Sequence, residues 1–328
     1  MRCTVCRQPA VIDLRRHNAN FCADHLVRFC RDQVAKAIDR YEMIAPGDRV
    51  LVAVSGGKDS LALWDILTGL GHRAEGMTIG LGIGDYSTTS TAAAVAYAEE
   101  RGLALHRVDL REEHGYDIPT AAAVTRRVPC SSCGTSKRHL IDKAALDGGF
   151  DVVATGHNLD DEAAVLLGNV LHWQTEYLGR QLPVLPGRDG FPRKVKPLVR
   201  LSERETAAYC IVRGIDYVVD ECPLAAGNRH LGYKEALNAI EASSPGTKHA
   251  FYFEFLDKAA HRFRGEADDA KADLRPCASC GAPTTGEVCA FCRLVERVGS
   301  APPVPVELVR RRGKGRGRSR AAAGEGRR

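Results

Sequence analysis

From Val50 onward the chain alternates short apolar bursts with longer stretches of helical periodicity. VLVAV precedes DSLALWDILTGL and AEGMTIG precedes TTSTAAAVAYAEERG; LALHRVDL, SKRHLIDKAALDGG, DVVATG and LDDEAAVLLGNVLHW follow. A strand apolar along its whole length has to be covered on both faces, and helices between successive strands supply that cover through parallel crossovers. The expected fold class is α/β, a doubly wound parallel sheet. In such sheets ligands sit beyond the carboxyl ends of the strands, where the strand order reverses. Phosphate, thiol and zinc chemistry are all expected to converge there.

The 328 residues leave room for this one core and small appendages. Five segments are expected: an N-terminal metal module (1–26), a linking helix (27–48), a catalytic domain (49–270), a C-terminal metal ribbon (271–298) and a basic, low-complexity tail (299–328). Leu26, Phe29, Val34, Ile38 and Tyr41 space as one face of the linking helix. A strand is expected at DYVVD, before the ECP at 221–223. The formal charge of +5 fits a nucleic-acid partner without requiring one, and the arginine- and glycine-rich tail could hold phosphates. No apolar run approaches the roughly 18 residues of a membrane span, so a soluble, cytoplasmic protein is expected.

VAVSGGKDS, residues 52–60, follows an apolar strand and opens an apolar helix. Unpaired amides at a helix start carry partial positive charge, glycine lets an anion approach the backbone, and Lys58 adds a full charge. The spacing excludes the GxxxxGK[ST] loop. Ser55, Gly56, Gly57, Lys58, Asp59 and Ser60 resemble the SGGxDS pyrophosphate loop of the N-type ATP pyrophosphatases, which split ATP between its α and β phosphates. The alternative is a glycine turn capped by Ser55 and Asp59. TGHNLDDEA resembles that family's second motif, in which an aspartate faces the nucleotide and its magnesium. The resemblance favours Asp161 over Asp160 and pairs it with Asp59 as a Mg2+ ligand, His157 being structural. It also puts adenine against Ala53, Val54, Ile79 and Gly156.

All but two of the twelve cysteines fall into CxxC or CxxH pairs or a Cys-Pro step, the grouping of metal sites in a reducing compartment. Cys30 and Cys210 are left over and are expected to be buried thiols. Cys3, Cys6, Cys22 and His25 make one closed set for Zn2+, and Cys277, Cys280, Cys289 and Cys292 a second. Each reads as a staple for a small module and as a clamp for RNA. Cys130 and Cys133 have only Cys222 as a third thiolate. Three thiolates suit three corners of a [4Fe-4S] cluster, leaving one iron open; the alternatives are a redox-active thiol pair or a third zinc.

The N-terminal metal module, SGGKDS, PCSSCGTSKR, TGHNLDD, ECP and the C-terminal metal ribbon, in this order, resemble the TtuA and Ncs6 branch of the tRNA 2-thiolation enzymes, from Cys3 to about Arg293. The resemblance implies an ATP-dependent tRNA sulfurtransferase: a uridine C2 oxygen is adenylated and then replaced by sulfur delivered at the open iron. The T-loop uridine is favoured, the wobble uridine next. Asp59, Lys137 and Asp161 would be catalytic, with Lys58 and Lys137 offsetting phosphate charge and Lys137 in the turn that starts the next helix. A ubiquitin-like sulfur carrier ending in a thiocarboxylate is implied as donor, and a homodimer as the assembly. Two rival readings are an RNA-binding protein with a regulatory ATP site and a ligase that adds an amine; the second leaves the central thiols without a task.

Overall fold

The computed structural model describes residues 1–188, 190–225, 229–263 and 274–299. The expected basic tail, from residue 300 on, lies outside the described residues.

The chain opens with a hairpin of β1 (Ile12–Leu14) and β2 (Ala19–Phe21), followed by α1 (Ala23–Arg40). Helix α1 starts earlier than expected, so His25 is already helical, and its buried face is Leu26, Cys30, Val34, Ala37 and Ile38; Phe29 and Tyr41 are only half-buried. The central sheet takes β3 (Arg49–Ala53), β4 (Arg73–Gly80), β5 (Leu105–Asp109), β6 (Val152–Thr155), β7 (Val184–Leu185) and β8 (Arg193–Val195) in the order β5-β4-β3-β6-β8-β7. All neighbours are parallel except β7, which pairs antiparallel with β8 at the edge.

Among the helices are α2 (Lys58–Gly69), α3 (Gly84–Arg101), α4 (Leu110–His114), α5 (Ile118–Thr125), α6 (Pro129–Asp147) and α7 (Leu159–Leu171). After them come α8 (Thr175–Leu178), α9 (Glu203–Arg213), α10 (Arg229–Ser243) and α11 (Thr247–Lys258). A last hairpin, β9 (Arg275–Pro276) with β10 (Pro283–Thr284), leads into α12 (Ala290–Val298). No described helix is long and apolar enough to cross a membrane.

Period-two alternation along β3 and β6 sorts the core into two layers. Val50, Val52, Val152 and Ala154 pack with Trp64 and Leu67 of α2, Val34 of α1 and Tyr209 of α9. Leu51 and Val153 point the other way, onto Ile118 of α5, Leu140 of α6 and Phe291, Leu294 and Val298 of α12. The central residues of β3 and β6 are buried on both faces of the sheet, which is why the sequence reads there as apolar bursts. The C-terminal metal-type module is thus part of the second layer, with the Phe291 ring stacked on His139 of α6 at 4.1 Å between centroids.

One expectation is corrected. Residues 216–220, DYVVD, form no strand; the segment hangs outside the sheet, with the Val218 N–H donating to the Gly56 carbonyl at 3.0 Å. Strands β8 and β7 extend the sheet beyond β6, with β7 at the edge, in a region whose sequence has no regular period.

The N-terminal module is fastened to the core by charge. The Arg16 guanidinium donates to Glu205 at 2.7 Å and to the Arg200 carbonyl at 2.9 Å, and both side chains of the ion pair are at least nine-tenths buried. Burial pushes the Glu205 carboxyl up and Arg16 pulls against it. Removing one partner strands a buried charge. Arg16→Met is expected to cost about 3–5 kcal/mol in denaturant unfolding, and replacing Glu205 by Met as well to recover most of that loss.

Candidate functional site

Strand β3 has β4 on one side and β6 on the other, so the chain leaves its carboxyl end in opposite directions and a crevice opens there. It is a cleft of about 440 Å³, lined among others by Ala53, Val54, Ser55, Asp59, Ser60, Ile79, Lys137, Gly156 and His157. The four residues expected to face adenine all lie on this wall.

Three helices start beside it: α2 at Lys58, α7 at Leu159 and α9 at Glu203. Each helix start presents unpaired amides and a positive dipole end, so their convergence favours anions. Asn158 and Ser202 close capping boxes with Asp161 and Glu205, which fixes where α7 and α9 begin. At the start of α2 no side chain caps the amides; the Ser60 hydroxyl instead accepts from the Ser55 N–H at 3.1 Å and donates to the Gly57 carbonyl at 3.0 Å. Gly56 has φ +77°, and a Cβ there would lie 2.1 Å from the Ser90 carbonyl oxygen of α3. No other residue fits that turn.

The charged groups at these helix starts form a chain. Lys58 donates to Asp59 Oδ2 at 2.9 Å, and the Thr206 hydroxyl of α9 donates to Asp59 Oδ1 at 2.6 Å. Lys234 of α10 reaches Asp161 Oδ1 at 2.6 Å and Glu203 Oε1 at 2.5 Å. Burial works against the Lys58 ammonium, but Asp59 and Glu203 outweigh it and hold its pKa above the usual value. Burial likewise opposes the Asp161 carboxylate, while Lys234, and His157 more weakly, keep its pKa below the ordinary range. Asp160 is turned away, its buried carboxylate paired with Lys248 and accepting the Glu203 N–H at 2.9 Å. Lys58, Gly56, Gly57 and Asp161 are not among the cleft's lining residues but stand beside it. His157, expected to be structural, is exposed on the lining wall, bonded to the Thr155 hydroxyl at 2.8 Å.

Helix α6 begins at Pro129, so Cys130 lies in its first turn, Cys133 opens the second, and Lys137 lies one turn beyond Cys133 on the same face. This corrects the expectation that Lys137 stands in a turn opening a later helix. Cys222 arrives on the segment anchored to Gly56, and Cys133 and Cys222 both pack against the second core layer. Burial pushes the Cys222 thiol up, Cys133 and Cys130 add to that, and Lys137 opposes it. All twelve cysteines are free; Cys30 and Cys210 are buried as expected, and burial pushes Cys210 up to about 12.

The terminal sets are gathered far more tightly. Among the described residues, Cys3, Cys6, Cys22 and His25, and Cys277, Cys280, Cys289 and Cys292, are the groups of three or more donors whose ligand atoms lie within 4.8 Å of one another. Each set could hold a metal ion. Burial opposes the Cys3 thiolate, but amides of Cys6, Cys22 and Val5 bring its pKa down to about 6; Cys277 is lowered to about 6, first by the Cys289 N–H at 3.2 Å. None of these eight residues lines the cleft; the phosphate loop does, and so does α6 through Gly134 and Lys137, whereas Cys130, Cys133 and Cys222 are not among the lining residues.

Sequence reasoning missed Thr206, Glu203 and Lys234. Glu203 had a signal, directly after the serine of an S-x-x-E box; Lys234 sits in a helix without a motif.

Residues 2–27 match the family model of the N-terminal LIM domain of the 2-thiouridine synthetase TtuA. The chain is 51% identical, over 91% of its length and 92% of the relative's, to the tRNA-5-methyluridine(54) 2-sulfurtransferase of Thermus thermophilus. The protein of that name from Pyrococcus horikoshii is 41% identical, over 89% of this chain and 93% of its own. The chain belongs to the tRNA 2-thiolation sulfurtransferases. Among solved structures of these sulfurtransferases, the U34-tRNA thiolase NcsA from Methanococcus maripaludis shares the fold, with a TM-score of 0.74 over 93% of this chain and 99% of that one, at 22% identity.

In this sulfurtransferase the depressed Asp161 pKa makes its ion pair a contribution present above the ordinary carboxylate value and lost as pH falls through the folded value. Asp161→Asn is therefore expected to flatten the acid limb of the stability profile, read by thermal unfolding between about pH 5 and pH 2.

Proposed function

We propose that the chain thiolates C2 of the T-loop uridine of tRNA, the 5-methyluridine(54) named for its Thermus relative, at the expense of ATP. The observation that carries the reading is the placement of a thiol pair, with Lys137 one turn beyond it, on a helix that lines the same cleft as the phosphate loop. An amine ligase would have no use for those thiols. A regulatory ATP site would have no use for their adjacency.

ATP binds with its phosphates over the amides of residues 55–60 and adenine against Ala53, Val54, Ile79 and Gly156. Asp59 and Asp161 hold Mg2+, as one or two carboxylates commonly do beside phosphates. The uridine C2 oxygen attacks the α phosphorus and pyrophosphate leaves into the helix starts, where Lys58 and Lys137 offset the charge that develops. Sulfur then bonds to C2, and the C2–O bond breaks with AMP as leaving group. Asp59, kept in place by Thr206, and Asp161, kept in place by its cap, spend no reorganisation at that moment.

The donor sets decide which metals fit. At the termini, sulfur-to-sulfur and sulfur-to-nitrogen distances of 3.1 to 3.7 Å suit the tetrahedron of Zn2+, and four protein ligands close each site. Cys130, Cys133 and Cys222 are three thiols without a fourth, more widely set, which suits three corners of a [4Fe-4S] cluster. Such a cluster supplies an iron with a free position for sulfur. The family resemblance alone carries two further parts: a ubiquitin-like carrier with a C-terminal thiocarboxylate as donor, and a homodimer. The cytoplasm is the fitting compartment, since every cysteine is unpaired.

Protein purified without oxygen is expected to hold two zinc ions and about four irons per chain, and to form 2-thiouridine in tRNA with ATP and sulfide, read by nucleoside mass spectrometry. Cys130→Ala, Cys133→Ala and Cys222→Ala should each lose iron and activity while keeping zinc. A cluster-loaded enzyme that makes no thionucleoside would sink the reading, and thiolation of an anticodon fragment in preference to a T-arm fragment would move the target to the wobble uridine.

A further inference from the structure

Lys234 is the one ammonium in the charge chain that comes from neither motif. Its helix, α10, is seated on α7 at Gly168, where a Cβ would lie 2.8 Å from the Tyr233 ring, and the Tyr233 hydroxyl bonds His172 at 3.0 Å. The backbone beneath Lys234 is therefore fixed and its long stem supplies the reach. Of the two Asp161 oxygens, Oδ2 is taken by the Asn158 N–H of the cap at 3.1 Å. The other, Oδ1, is the oxygen left for a metal ion, and Lys234 holds it, with Glu203 as its second partner.

We propose that Lys234 stands in for a divalent cation in the nucleotide-free protein, and that it passes to the phosphates when a metal–nucleotide complex claims Asp161. The proposal rests on the reading of the cleft as an ATP site. The charges support it. Lys58 and Lys234 face Asp59, Asp161 and Glu203, and Lys58 feels the charge of Lys234, so the two ammonium groups flank one space at the helix starts. A dication arriving alone would meet a carboxylate already neutralised and would leave the ammonium with Glu203 as its one remaining carboxylate partner, beside the new positive charge. Arriving with phosphates, it brings the anion that receives the displaced ammonium. Metal and nucleotide affinities are thereby coupled through one side chain, each raising the other.

The test is Mn2+ binding, followed by electron paramagnetic resonance, with and without a non-hydrolysable ATP analogue. Lys234→Met is expected to bind Mn2+ alone roughly tenfold more tightly than the wild type, because a competing positive charge is gone. It should bind the Mn2+-analogue complex roughly tenfold more weakly, for want of a phosphate partner. Lys234→Arg should restore part of the coupling, and thermal unfolding of each variant reports its folding; should Lys234→Met not fold, Lys234→Gln gives the same comparison. A folded variant whose affinity for Mn2+ alone is unchanged or weaker overturns the proposal. Failure of the wild-type protein to bind the analogue at all would instead overturn the ATP reading.

Discussion

Gly56 holds three parts of the protein in one place. Its left-handed backbone turns the chain from the end of β3 into α2, its α-carbon lies against the Ser90 carbonyl of α3, and its own carbonyl accepts the Val218 N–H. A side chain would push α3 away. The hydrogen bond to Val218 matters as much, because the segment it anchors leads four residues on to Cys222. Phosphate loop and third thiol are therefore fixed to each other by backbone, independently of whatever occupies either site.

How much of this was legible follows from which interactions are local. β3 and β6 are buried on both faces and read as apolar bursts, and SGGKDS and TGHNLDD announce helix starts after strands, because strand, turn and cap lie within a few residues of one another. DYVVD reads as a strand by composition, yet its amides are used by a loop rather than a ladder. β7 and β8 are two and three residues long and carry no periodic signal. CxxC pairs show which thiols are near neighbours but not that α6 starts beneath Cys130. Lys234 and Thr206 reach the site from helices whose placement is decided by tertiary packing, so nothing near them in the chain betrays their partners.

The three cysteine sets divide by geometry. In the terminal sets, four donors are drawn together, and amide N–H groups lower Cys3 and Cys277 towards thiolate at neutral pH, as closed structural metal sites require. The C-terminal set shares its core layer with Leu51 and Val153 of the central sheet, so whatever ion it holds also stiffens the face on which α6 lies. The central thiols are fewer and more open, Cys130 being exposed. In the proposed function a closed set would serve the fold, whereas an incomplete one would keep a position for chemistry.

That α6 begins at Pro129 gives this openness its electrostatic support. Proline at the first helical position gives up an amide that had no partner, Cys130 follows it at the helix start, and the Ser131 N–H donates to the Val128 carbonyl at 2.9 Å. A helix start favours anions in general, and Lys137, one turn on from Cys133, lines the cleft. Four helices, α2, α6, α7 and α9, thus begin around the carboxyl ends of β3 and β6. Parallel winding makes that inevitable for helices that follow the strands. What the sequence adds is the choice of first residues: glycine, lysine and serine at the start of α2, cysteine at the start of α6, and aspartate and glutamate at the starts of α7 and α9, where the positive field has a counterion.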